Sequence, residues 1–243
     1  MTAQNAMEVH HHPEVEKKNF KQYLLEGLMI FVAVTLGFFA ESLRENINGK
    51  DKEEEYITSI TRDLEHDKTD LVYTIKDNQN KLKSLDSLLA LAGSDLKDVK
   101  NRKRMYETSW GVSSLGVFIS HDATMSQLKA SGALQFIKRE HIADSIAKYD
   151  LEMRGIYAAE APYTRYINFA TEAMTEIMNF NLKDDVHHGD YQLVTNDPQK
   201  IQVFFNKVKL ERGWTANYIQ NLQDRIPYNR TLIQLLKKEY DLK

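Results

Sequence analysis

Leu24–Ala40 reads LLEGLMIFVAVTLGFFA, the one long apolar run in an otherwise polar chain. From Gly27 to Ala40 the only side chain with a polar oxygen or nitrogen is Thr35. A helix in a soluble core keeps a polar stripe, and fourteen residues here show none. A cleaved leader needs small residues before its cleavage site, but Phe38 and Phe39 precede Ala40. The run therefore reads as one membrane-spanning helix. Its 17 residues reach ~26 Å, against a hydrocarbon core of about 30 Å. Phe20 and Tyr23 extend it as interfacial aromatics, and slight bilayer thinning covers the rest.

This span divides the chain into a polar tail (1–19), an anchor (20–44), a long amphipathic helical stalk (45–93) and an α-helical domain (94–243). Lys17, Lys18 and Lys21 precede the span, while Arg44, Lys50 and Lys52 follow it. A basic stretch before an uncleaved apolar segment suits a signal anchor, and a long following domain translocates largely regardless of its charge. The expected orientation has the tail inside and the large domain outside.

The chain as a whole has a globular composition, with net charge −3 and 28% charged residues. It lacks the basic excess that nucleic-acid binding requires. Cysteine is absent, which excludes disulfides and thiolate chemistry. Four prolines and ten glycines in 243 residues favour long helices over a turn-rich β fold. The expected class is all-α.

Ile57, Ile60, Leu64, Leu71, Ile75, Leu82, Leu85 and Leu89 fall at helical steps, with Asp67 and Asn78 interrupting the seam. Gly93 marks a helix end. Lys97–Arg104 is a basic connector, expected as a solvated loop. Trp110–Ile119 reads as a loop or short helix over the core. Ser120 or Asp122 caps a helix that ends at Gly132, and another begins near Arg139. Pro162 interrupts or kinks that helix, and its apolar stripe runs to about Phe180. Asp197-Pro198 starts a further helix, which Pro227 is expected to break before a last one bearing Leu232, Leu235, Leu236 and Tyr240.

The pattern Thr124-x-x-Gln127-Leu128-x-x-Ser131-Gly132-x-Leu134-x-x-Ile137, followed by Ile142, Ile146 and Tyr149, resembles a segment of small single-pass membrane proteins of Bacteroidota. A lysine-flanked anchor leading into an acidic helix, as in Lys17–Asp70, belongs to the same likeness. The family usually has asparagine after the glycine, where this chain has Ala133. The resemblance implies a bacterial inner-membrane location, with the tail cytoplasmic and the domain periplasmic, and a helical fold, and supplies no chemistry.

Catalytic signals are weak. Ser120-His121-Asp122 has triad residue types, but consecutive positions cannot chain their hydrogen bonds. Asp184, Asp185, His187, His188 and Asp190 form the densest ligand cluster, yet nothing fixes tetrahedral geometry there. His10–His12 read as tail, and His66 and His141 as exposed helix histidines. No enzyme activity, cofactor or metal site is expected. The leading reading is an accessory or scaffold protein that binds a protein partner or its own copies. The alternatives are a ligand-sensing bundle that signals through a partner and, more remotely, a metalloenzyme using His187 and His188. At 100° per residue, Glu26, Ala33, Gly37, Ala40 and Arg44 share a stripe within about 60° of arc. Ala33 and Gly37 would let another membrane helix come close.

Overall fold

A computed structural model describes residues 19–180 and 191–242, so the aspartate–histidine cluster at 184–190 and His10–His12 lie outside the described residues. The described residues are helical, with a single backbone bridge, between Met178 and Leu193, outside the helices. The elements are α1 (Phe20–Leu89), α2 (Val99–Thr108), α3 (Trp110–Ser113), α4 (Ala123–Ser131), a 3-10 turn (Ala133–Phe136), α5 (Glu140–Thr175) and α6 (Pro198–Glu239). The all-α expectation holds.

The chain forms two units that meet between Asp51 and Lys52, within α1. The first contains the apolar run. By length and composition its helix suffices to cross a membrane, and none of the apolar window is buried. Leu28, Phe31, Leu36 and Phe38 are all more than half exposed. The lone polar side chain, Thr35, donates its hydroxyl proton to the Phe31 carbonyl at 2.8 Å, so it brings no unsatisfied group into the span.

The second unit is built on three long helices. Asp67 of α1 meets Tyr149 of α5, and further along Asn78 meets Tyr163, so α1 and α5 run parallel. The pairs Leu64–Asn229 and Lys81–Glu211 run in opposite order, so α6 is antiparallel to α1. Parallel neighbours need a return connection as long as the helix itself. Residues 90–139 supply it, carrying α2, α3, an extended strap (114–122), α4 and the 3-10 turn.

The seam of α1 is buried in this bundle and does not form a separate stalk. Ile57, Ile60, Leu64, Leu71 and Ile75 pack with Ile142, Ile156, Leu222 and Leu236. Leu85 and Leu88 join Met105, Val112, Phe204 and Val208 in a second cluster. The second unit begins at Lys52. The basic stretch expected as a loop forms most of α2. Asp98 caps it by accepting from the Lys100 amide at 2.8 Å, and Met105 anchors it in the core.

Both internal prolines lie within helices. α5 continues through Pro162 and α6 through Pro227. Each proline removes one helix hydrogen bond, at a cost of about 3 kcal/mol in an isolated helix. Burial of Tyr163 and Ile167 beyond the first, and of Leu232 and Leu236 beyond the second, offsets that loss. Asp197 and Pro198 start α6 as expected, with Asp197 accepting from the Gln199 amide at 2.9 Å.

Gly132 ends α4 at φ +67°, in the left-handed region, with its N–H directed to Leu128 and Lys129 carbonyls. A Cβ there would meet nothing within 4 Å, so a substitution costs backbone strain alone. Gly132→Val is expected to destabilise the domain by about 1–2 kcal/mol. Chemical denaturation of the two proteins checks this; coincident midpoints would contradict it.

Candidate functional site

Two groups of residues are candidates: the stripe on the anchor and a polar layer inside the bundle. On the stripe, Ala33, Gly37 and Ala40 are exposed and Glu26 is half-buried. A Cβ added at Gly37 would meet nothing within 4 Å. Arg44 pairs with Glu41 one turn earlier, its Nε 3.0 Å from Glu41 Oε2.

The polar layer grows from the residues that interrupt the α1 seam. Asn78, 1% exposed, accepts from the Tyr163 hydroxyl at 2.6 Å and donates to the Gly116 carbonyl at 2.8 Å. Lys81 donates to the Ser114 carbonyl at 2.6 Å, and Ser84 to the Thr108 carbonyl at 2.7 Å. The Tyr218 hydroxyl accepts from the Phe118 amide at 2.9 Å, and its ring stacks on Tyr163 at 4.5 Å. The strap has no ladder partner, so these side chains satisfy its backbone. Glycine is needed where the return chain comes closest. A Cβ at Gly111 would stand 2.8 Å from Ser84 Cβ, and one at Gly116 2.9 Å from Asn78 Nδ2.

Lys81 and Glu211 form an ion pair at 2.9 Å, with both side chains almost fully buried. Burial pushes the Glu211 carboxyl up to about 8, with Lys81 opposing the shift. The same burial lowers the Lys81 ammonium, opposed by Glu211. Thr215 donates its hydroxyl proton to the Glu211 main-chain carbonyl, leaving the carboxylate to Lys81.

Nearer the start of the unit, Asp67 is 2% exposed. It accepts from the His121 amide at 2.7 Å and the Tyr149 hydroxyl at 2.9 Å. Burial raises its pKa despite those hydrogen bonds. The imidazole Nδ1 of His121 is 3.4 Å away, and its ring meets His66 edge-on at 5.0 Å. Asp63 takes over the capping expected of Ser120 or Asp122: it accepts from the Thr124 hydroxyl at 2.5 Å and the Thr124 amide at 3.3 Å. Asp122 occupies the cap position without a capping bond. Asp63, Asp67, His121, Tyr149 and Asp150 line a cavity of about 120 Å³ between α1, α4 and α5.

Sequence reasoning missed this cavity because Asp67 reads as a flaw in an apolar seam. The spacing of Asp63, Asp67 and Asn78 along one α1 face carried the available signal. Among the described residues, no group of three or more histidines and carboxylates stands in a metal-holding arrangement. No family model, curated protein or solved structure matches the chain.

Proposed function

We propose that this is a single-pass membrane protein whose helical domain binds or stabilises a protein partner or further copies of itself. The supporting observation is the helix at 24–40, whose large apolar side chains have no protein cover. Lipid provides that cover along most of its circumference, and a second helix provides it along the Ala33–Gly37 stripe. The partner shields Glu26 at the end of that stripe. We assign the tail to the inside and the domain to the outside, because a basic stretch precedes the span and a long domain follows it; the resemblance to membrane proteins of Bacteroidota makes the membrane a bacterial inner one and the domain periplasmic. We assign it no catalytic role.

The test is Ala33→Leu with Gly37→Leu in the full chain, extracted in neutral detergent from its native host. The parent is expected to carry a stoichiometric partner or to run as an oligomer on a native gel. The double variant is expected to lose it. Retention of the complex by the variant moves the contact to the outer domain, and a parent that is monomeric and alone sinks the reading. A second reading, a ligand-sensing bundle acting through that partner, is favoured by the cavity beside Asp67.

A further inference from the structure

The cavity beside Asp67 has a floor and a rim of different character. Ile60, Leu64, Ile146, Met153 and Leu232 make the floor, from α1, α5 and α6. The rim carries Asp63, Asp67, Asp122 and Asp150 against Lys129 and Arg154. The two bases are already engaged, both on Asp150, at 2.8 and 3.4 Å. Among the described residues no lysine or arginine pairs with Asp63 or Asp67. Their partners are neutral donors, with the half-exposed imidazole of His121 beside Asp67.

Asp67 is therefore a nearly fully buried carboxylate on a cavity wall, with no permanent counter-charge. Such a group is costly unless a cation meets it. Its raised pKa has the same origin. An apolar floor with a few convergent polar groups is the usual make-up of a small-molecule site. A dry cavity of about 150 Å³ accepts benzene, so ~120 Å³ holds about five heavy atoms.

We propose that this cavity binds the end of an alkylammonium chain, with the methylenes on the apolar floor and the ammonium between Asp63 and Asp67. The chemistry is shared by a free alkylamine and by a lysine side chain of a partner protein. Both are charged at neutral pH. The inference rests on the ligand-binding reading of the bundle and is independent of the anchor stripe.

The test titrates the full chain, in neutral detergent at pH 7, with n-butylammonium, 1-butanol and butyrate, followed by calorimetry. n-Butylammonium is expected to bind at least tenfold more tightly than either of the others. Asp67→Asn is expected to weaken it about tenfold or more, as for a lost hydrogen bond to a charge. Asp63→Asn, at a half-buried position, is expected to do the same and keeps the test valid if the Asp67 variant does not fold. A capped lysine peptide is compared with its Nε-acetyl form. Tighter binding of the lysine peptide than of butylammonium identifies a protein source, and the reverse a free amine. Preferential binding of butanol or butyrate overturns the cation proposal and leaves the ligand-binding reading standing. Binding of none of the probes overturns both.

Discussion

After a carbonate wash, the Val32→Arg, Val34→Arg double variant is expected in the supernatant, while the parent stays with the membrane pellet. The nine large apolar residues between Leu28 and Phe39 favour insertion by about 0.3–0.6 kcal/mol each, roughly 3–5 kcal/mol together. Two arginines near mid-span cost about 2.5–3.5 kcal/mol each, roughly 5–7 kcal/mol, so the balance reverses. The two positions project about 160° apart around the helix, so no single tilt shelters both charges. Neither lies on the Ala33–Gly37 stripe, which keeps this experiment separate from the association test. Continued sedimentation of the double variant would show that 24–40 is not what holds the protein to membranes.

The second large effect is expected from Lys81→Met. It leaves Glu211 buried without its counter-charge, a loss of at most about 3–5 kcal/mol for a broken buried pair. The penalty should depend on pH. A carboxyl whose folded pKa stands near 8, above its unfolded value, contributes stability that is full below the unfolded pKa and lost as pH rises through 8. Removing Lys81 removes the one charge that opposes this, so the folded pKa rises further. The variant is expected to lose little at pH 5, where Glu211 is protonated in both proteins, and about 2 kcal/mol at pH 9.5, because only above pH 8 does the parent carboxyl ionise beside Lys81 while the variant's stays protonated. Urea unfolding at the two pH values measures the difference. Lys81→Met with Glu211→Leu should recover most of the loss, since an apolar pair of similar volume replaces a buried ion pair at little cost. A penalty equal at pH 5 and pH 9.5 would show that packing of the lysine stem, and not the Glu211 charge, is what Lys81 contributes.

The helices were legible where local rules decide them. The 3- and 4-residue steps of the α1 seam, the Asp197-Pro198 start and the left-handed Gly132 stop are properties of neighbouring residues. Partnerships across the bundle were not. Pro227 reads as a break because an isolated helix would break there. Asn229, fully buried two residues later, donates to the Leu64 carbonyl at 2.9 Å and helps tie α6 to α1 on the far side of the proline. Asp67 and Asn78 read as faults because their partners, Tyr149 and Tyr163, lie 82 and 85 residues away. The residues that cover the α1 seam were hidden for the same reason. An amphipathic seam declares that it needs burial, but not against what.

The antiparallel placement of α6 on α1 has a consequence for synthesis. Leu64 waits for Asn229, 165 residues later in the chain. At about 5–20 residues per second, that separation corresponds to roughly 8–33 s of translation. Over that interval the apolar seam of α1 lacks its last cover, while helix formation itself takes microseconds or less. A nascent chain of this design presents a formed, sticky helix long before its final partner exists. Until then the seam is open to other apolar surfaces, the exposure that makes incomplete chains prone to aggregate.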